Sequence, residues 1–327
     1  MYLAGFDIGG TKCAVLAARA EGDSLQFLFR KEIETAGTWR EVLDRLCVLF
    51  RQECRNLPAD AILQGAGVSC GGPLDCARGM ICSPPNLPGW DEVPVTEYLS
   101  EKLRVPVGLM NDADAGAVAE WRYGAGRGTK NMIFLTFGTG LGAGLILNGR
   151  LYSGAGGMAG ECGHIRLKRD GPTGYGKKGS LEGFCSGNGL RQIAQKYAAD
   201  QFLRGRTVSF CADPEEIPSI TAKKLVQCAK AGNKDAVAIL HECGKNFGRG
   251  LAILIDLLNP ERIVVGGIFS RAQTFLYGPM MREIRKEALS RSVAKCTVVA
   301  AGLGEEIGDY AAIVAASQIG KGSEETV

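Results

Sequence analysis

Several kinds of signal are missing from this 327-residue chain. No run of basic residues is dense enough to track a phosphate backbone: 38 Lys and Arg stand against 35 Asp and Glu, scattered along the chain, for a formal charge of +3. Nucleic acid is therefore not an expected partner. No basic segment followed by a long apolar one opens the chain, so the expected location is the cytoplasm, with no membrane association. The most apolar later stretch, Leu251 to Leu258, is interrupted by Asp256 and too short to span a bilayer, so it reads as a buried helix. The twelve cysteines fall singly, with no CxxC pair, and in a reducing compartment most read as small buried hydrophobes. No segment has the Gly-x-x-x-x-Gly-Lys-Ser/Thr spacing of a P-loop. The letters of a Rossmann turn occur in Gly174 to Gly179, but the polar loop Lys168-Arg169-Asp170-Gly171-Pro172 precedes them where a strand is required. Of the two histidines, His241 has no motif around it and reads as a helix-surface residue.

What is present is an ordinary globular composition, 46% apolar and 22% charged, over a length that suggests two compact lobes. The apolar run Tyr2 to Phe6 stops at Asp7-Ile8-Gly9-Gly10-Thr11-Lys12 and resumes from Cys13 to Ala18, the pattern of a hairpin with a polar tip. From Asn131 the plan repeats: strand Met132 to Phe137, turn Gly138-Thr139-Gly140, strand Leu141 to Leu147. Two such hairpins about one domain apart suggest a duplicated lobe. The spacing predicts helices over Trp39 to Cys54, Leu181 to Tyr197, Ala222 to Ala231 and Ala236 to Leu258. It predicts buried strands at Ala66 to Ser69, Arg262 to Val265 and Thr297 to Ala301. The alanine-rich stretch Gly308 to Ile319 reads as a helix with one face small enough for close packing.

The hairpin tips carry the first chemical signal. Backbone amides freed by glycine can turn toward an anion where a side chain would block the approach, and phosphate is the natural guest. Asp7 sits where a carboxylate can hold hydrated Mg²⁺ beside a triphosphate. Thr11 and Thr139 add hydroxyl donors. For either hairpin alone, a plain glycine turn is the preferred reading; their joint occurrence, each with a Gly-Thr element, turns the balance toward phosphate. Asp112 follows the strand-like Val105 to Met110 and precedes the helical Ala113 to Tyr123. It can serve as a base presented by a loop or simply cap the helix, as can Asn111 and Asp114.

The ordered set Asp7-Ile8-Gly9-Gly10-Thr11-Lys12, Gly67-Val68-Ser69-Cys70-Gly71-Gly72-Pro73-Leu74-Asp75, Asn86-Leu87-Pro88-Gly89-Trp90, Asn111-Asp112-Ala113-Asp114, Gly138-Thr139-Gly140-Leu141-Gly142, Glu161-Cys162-Gly163-His164 and Val265-Gly266-Gly267 resembles the ROK family of sugar kinases and repressors. That family lies within the superfamily of actin, hexokinase and sugar kinases. The resemblance covers nearly the whole chain. It implies an α/β, two-lobed actin/hexokinase-like fold, a duplicated ribonuclease H-like plan with a nucleotide and sugar cleft between lobes. The expected lobes are 1–115 plus 305–327 and 116–304. It further implies ATP-dependent phosphorylation of a free hexose, glucose at its 6-hydroxyl first, with N-acetylhexosamines, fructose or allose as alternatives, and a homodimer. Asp112 matches the catalytic base. Gly71, Gly72, Asn86, Asn111, Asp112, Glu161, His164 and Glu182 match sugar-binding positions. Asp7, Gly9, Gly10, Thr11, Lys12, Thr136, Gly138, Thr139 and Gly140 match positions around the phosphates of ATP, with Mg²⁺ on Asp7 through water. Gly266 and Gly267 match positions near the adenosine.

One departure concerns zinc. Many members follow Glu-x-Gly-His with three cysteines that, with the histidine, bind a structural Zn²⁺. Here Thr173, Tyr175 and Ser180 stand in those places, so no structural zinc is expected. Repressors of the family carry a DNA-binding segment before the first hairpin, and six residues precede Asp7, which leaves that reading aside. Related ATPase activators hold an iron–sulfur cluster with clustered cysteines, which the scattered cysteines here do not form.

Overall fold

Strand β1 (Tyr2–Ile8) turns back into β2 (Lys12–Glu21), and β2 into β3 (Ser24–Glu34), all antiparallel. The chain then crosses through α1 (Trp39–Cys54) to β4 (Leu63–Cys70), which lies parallel to β1. A short pair, β5 (Leu74–Asp75) with β6 (Met80–Ile81), leads to α2 (Val95–Leu103), β7 (Val107–Asn111) and α3 (Asp112–Tyr123). The resulting sheet has the order β3-β2-β1-β4-β7. This is a computed structural model, and it describes residues 1–22, 24–58 and 61–319.

Helix α1 shows why the crossover forms. Val42, Leu43, Leu46, Cys47 and Phe50 recur at three- and four-residue spacing and are all buried. Each large side chain among them contributes about 1.5–3 kcal/mol on burial. Thr38 and Glu41 close a reciprocal capping box at its start, worth about 1 kcal/mol. Burial therefore outweighs the cap, and the cap fixes where the helix begins.

A second compact unit, Gly128–Tyr152 with Met158–Gly304, repeats the plan. Its strands are β8 (Met132–Phe137), β9 (Leu141–Leu147), β10 (Arg150–Leu151), β11 (Thr173–Gly174), β12 (Lys177–Lys178), β13 (Arg262–Val265) and β14 (Thr297–Ala300). Its helices are α4 (Leu181–Phe184), α5 (Gly187–Leu203), α6 (Ala222–Lys230), α7 (Lys234–Leu258), α8 (Ile268–Glu287) and α9 (Ser290–Val293). The order β10-β9-β8-β13-β14 matches the first sheet strand for strand, with the same antiparallel and parallel partners. The duplication inferred from two glycine-tipped hairpins thus extends to the whole sheet.

The first unit comprises Met1–Arg127, Ser153–Gly157 and the segment from Glu305. That segment forms α10 (Ile307–Ala315), which lies on β1 and β4 with its small residues inward. A Cβ on Gly67 would overlap the carbonyl oxygen of Ala312 and the amide of Ala316, and one on Gly5 would lie 2.9 Å from the Ala312 Cβ. Helix α3 also packs along α10 and stays whole in this unit, which runs on to Arg127.

Two expectations change. The helix expected over Leu181 to Tyr197 is broken at Cys185-Ser186, where Ser186 caps α5 through the Gly189 amide. The break lets Gly189 approach so closely that a Cβ there would overlap the Gly183 carbonyl oxygen. Leu251 to Leu258 is helical but buried on one side only, with Ile253 and Leu257 exposed. Seven of the twelve cysteines are buried. No helix among the described residues is long and apolar enough to cross a membrane.

Candidate active site

In the first unit the parallel strands β1, β4 and β7 end side by side. In open α/β sheets ligands gather beyond such carboxyl ends. The Gly9–Thr11 turn is braced from the end of β3: the Thr35 hydroxyl donates to the Gly9 carbonyl at 2.7 Å, and the Thr35 amide to the Thr11 carbonyl at 2.9 Å. Gly10 lies against the backbone of Asn86 so tightly that a Cβ would overlap the Asn86 carbonyl oxygen. After β4, a Cβ on Gly71 would sit 3.7 Å from Asp112 Oδ2 and 3.8 Å from Asn86 Nδ2, and one on Gly72 would sit 3.2 Å from Asn111 Nδ2. Gly10, Gly71, Gly72, Asn86, Asn111 and Asp112 are therefore brought together, with Asn86 and Asp112 exposed.

The helix cap falls to Asn111. Its backbone is extended and its Oδ1 accepts the Ala113 N–H at 3.0 Å, so Asp112 is the first helical residue. Asp112 Oδ1 shares that N–H at 2.8 Å, and Oδ2 is the oxygen beside Gly71. Asp112 is exposed as a residue, yet the protein gathered around its carboxyl disfavours the charge and raises its pKa from the ordinary value. The amides of Ala113 and Asp112 pull the other way. A partly desolvated carboxylate with an accessible oxygen is suited to accept a proton from a substrate hydroxyl.

Asp7 is half-buried at the end of β1, its Oδ2 resting on the first turn of α10, where a Cβ on Gly308 would lie 2.9 Å away. Burial first, then the nearby Asp309 and Asp112, push its carboxyl up to about 6, with Arg30 opposing. An acidic surrounding of this kind fits a hydrated magnesium ion, which needs only one or two carboxylates and keeps its waters. When bound beside a triphosphate, the ion would neutralise phosphate charge. The ammonium of Lys12 is held by Glu32, and Arg30 bridges Glu32 and Asp309 at 3.1 and 2.8 Å. Thr11 is exposed at the tip.

In the second unit the Gly138–Gly140 tip is gripped by the start of α5. The Gly187 amide donates to the Gly138 carbonyl at 2.8 Å and the Asn188 amide to the Thr139 carbonyl at 3.2 Å. Gly267, at φ +65° and the start of α8, presses on the Phe137 carbonyl, and the Gly266 amide donates to the Leu135 carbonyl at 2.9 Å. The Thr136 hydroxyl is engaged within the hairpin by the Gly142 amide at 3.0 Å, whereas Thr139 remains at the tip.

Glu182, on α4, accepts the Leu141 amide at 3.0 Å through Oε2. The turn carrying Glu161 and His164 packs on the same spot: a Cβ on Gly163 would overlap the Leu141 carbonyl oxygen and lie 3.3 Å from the Glu182 Cβ. Glu161, His164 and Glu182 thus flank Leu141, with Glu161 and His164 exposed. The loop expected to lack zinc offers no thiolate at Thr173, Tyr175 or Ser180. The Ser180 hydroxyl already caps α4 through the Gly183 amide at 3.1 Å, and Tyr175 is 70% exposed. That donor set does not fit a structural zinc. Sequence reasoning passed over Gly187, Asn188 and Gln192. The Ser-Gly-Asn-Gly run from Ser186, a strong cap followed by small residues, is the signal that marks the first two.

A sequence profile described as the ROK family matches residues 3–318. The glucokinase of Halalkalibacterium halodurans is 31% identical over 312 residues, covering 94% of this chain and 92% of that protein. The N-acetylmannosamine kinase of Escherichia coli is 29% identical over 273 residues, 83% and 84% of the two chains. A crystal structure of a ROK family glucokinase from Streptomyces griseus in complex with glucose and AMPPNP superimposes with a TM-score of 0.78 at 30% identity, covering 97% of this chain and 100% of that one. The fold is of the actin/hexokinase type. With the profile spanning all but the chain ends, and the ordered motifs placed on a duplicated sheet, this chain belongs to the ROK family.

Proposed function

We propose that this protein transfers the γ-phosphoryl group of ATP to a free hexose, glucose at its 6-hydroxyl first. The observation that carries the proposal is the division of labour at the start of α3: Asn111 caps the helix, and Asp112 keeps an accessible oxygen beside Gly71 and Asn86. In the reaction the hydroxyl oxygen forms a bond to the γ-phosphorus as the bond to the β–γ bridging oxygen breaks. The hydroxyl proton passes to Asp112, and ADP leaves with the bridging oxygen.

Around this step the glycine turns at 9–11 and 138–140 offer amides to the phosphates, with Thr11, Lys12 and Thr139 at their rims. Gly266 and Gly267 stand near the adenosine. Asn86, Asn111, Glu161, His164 and Glu182 supply hydrogen bonds to sugar hydroxyls, and a site built that way rejects analogues lacking one. Mg²⁺ is assigned to Asp7 through water. The relatives named glucokinase support glucose over other hexoses, and the cytoplasm and a homodimer complete the reading. Light scattering after size exclusion tests the dimer.

ADP release from ATP and Mg²⁺ across free hexoses, hexosamines and N-acetylhexosamines, compared with Asp112→Asn, tests the reaction. Turnover stimulated by glucose and lost in the variant is the expected result. Stimulation by N-acetylmannosamine alone would shift the substrate, and stimulation by none would end the kinase reading.

A further inference from the structure

The β11–β12 hairpin is held by a side chain outside it. Gln192, on α5, accepts the Thr173 amide at 3.0 Å through Oε1 and donates Nε2 to the Thr173 carbonyl at 2.8 Å. This is the pairing an adjacent strand would make, supplied by one primary amide, which carries a donor and an acceptor at a fixed spacing. The same Nε2 reaches the Asn188 carbonyl at 3.4 Å, and the Asn188 amide holds the Thr139 carbonyl.

Thr173 and Gly174 in turn form the surface on which Glu182 rests. A Cβ on Gly174 would lie 2.6 Å from the Gly183 amide, 2.8 Å from the Glu182 Cβ and 2.9 Å from the Ser180 hydroxyl. A shift of Thr173 by a fraction of an ångström is therefore passed to α4 through backbone contact. Backbone bonds close the base of the hairpin, the Gly179 amide to the Pro172 carbonyl at 2.9 Å and the Leu167 and Lys168 amides to the Gly179 carbonyl at 2.8 and 3.1 Å. The other side-chain ties, Arg166 to the Lys178 carbonyl and Lys177 to the His164 carbonyl, both at 2.8 Å, are solvent-exposed bonds made by cations. Gln192 is half-buried, and of the side-chain ties its two bonds to Thr173 are the part-buried ones, for which water competes less.

The geometry points to Gln192 as the positioning residue of this loop, fixing by two hydrogen bonds what the donor set at 173, 175 and 180 cannot fix with a metal, and so setting where Glu182 meets the sugar. The part concerning sugar rests on the proposed kinase reaction. The part concerning the hairpin does not.

Hydrogen exchange of the 173–178 amides in the sugar-free protein tests the hairpin directly. Gln192→Ala accelerates it by about tenfold or more, and unchanged exchange overturns the proposal. In turnover assays the same variant raises the KM for sugar about tenfold while kcat stays within about threefold. Accelerated exchange with an unchanged sugar KM overturns the positioning role. Gln192→Glu is the near-isosteric control: at high pH it sets a carboxylate oxygen against the Thr173 carbonyl, and at low pH the protonated acid restores the donor. Its sugar KM relative to wild type therefore falls as pH drops from about 8 to about 5.5, the range in which a carboxyl held against a carbonyl titrates. A flat ratio counts against the role. Elemental analysis expects no stoichiometric zinc, and one zinc per chain would overturn the metal-free loop. If the wild type shows no sugar-stimulated turnover, the kinase reading fails, and the exchange arm still decides the hairpin.

Discussion

Glu182 accepts the backbone amide of Leu141 across 41 residues, a 3.0 Å bond that ties the α4 turn to the strand leaving the Gly138–Gly140 tip. A residue matched to the sugar thus braces a turn matched to phosphate. A carboxylate accepting an amide forms a charge-assisted bond, about twice as strong as a neutral one.

Glu182→Ala should raise the KM for ATP as well as for sugar, each about tenfold. Glu182→Gln keeps an oxygen for the Leu141 amide but loses the charge, so its ATP KM should return to within about threefold of wild type while its sugar KM stays high. Steady-state kinetics with each substrate varied in turn make the comparison. An ATP KM indifferent to Glu182→Ala would show that the bond does nothing for the tip.

Asp112→Asn should lower kcat by about 10²–10⁴, the range for losing a positioned base, with both KM values within a few-fold. Asn111→Ala removes the true cap and should cost about 1 kcal/mol of stability in chemical denaturation. Asp112→Asn should cost less, because the Asn111 side chain still accepts the Ala113 amide. If Asp112→Asn destabilises as much as Asn111→Ala and leaves kcat intact, Asp112 is only a helix-start residue.

Some of this was legible in the sequence, and the reason is locality. Both hairpins and α1 are set by neighbours: glycine between alternating apolar runs, and Thr38 with Glu41 ahead of a periodic stripe. The break at Cys185-Ser186 was passed over because the apolar period runs intact across it; its local signal is the capping Ser186 ahead of Gly187-Asn188-Gly189, and the close approach of Gly189 to Gly183 that the break allows is a packing event no period shows. Which of Asn111, Asp112 and Asp114 caps α3 stayed open for the same reason, since all three types cap well and only geometry chooses. Thr136 read as a tip residue, yet its hydroxyl is engaged by Gly142 within the hairpin. Gln192 carries no motif at all, because a clamp needs only one amide at the right height on a helix.

Gly67→Ala tests the seat of α10 on the first sheet. The added methyl would meet the Ala312 carbonyl and the Ala316 amide, backbone atoms that cannot rotate aside. Overpacking of this kind costs about 1–3 kcal/mol. Urea unfolding should show that loss, whereas Gly89→Ala, at a positive φ but with open space around it, should lose less. Equal losses would mean that α10 shifts freely and the close approach at Gly67 does not define its position.

Asp7 gives the pH dependence, with its sign fixed by linkage. Its folded pKa of about 6 lies above the value of about 4 for an unfolded aspartate. From about pH 4 to about pH 6 the native protein holds the proton longer than the unfolded chain, so this group's contribution to stability falls as pH rises and stays unfavourable above that window. A difference of that size corresponds to at most about 3 kcal/mol, and partial solvent access reduces it to about 1–2 kcal/mol. Asp7→Asn, free of nucleotide and magnesium, should therefore be more stable than wild type at pH 7.5. The advantage should shrink toward zero as pH falls to about 4. Denaturant melts of both proteins across that range measure it. A variant less stable than wild type at pH 7.5 would mean that the Asp7 carboxylate is favourably solvated in the fold, which would remove the electrostatic reason for placing a cation there.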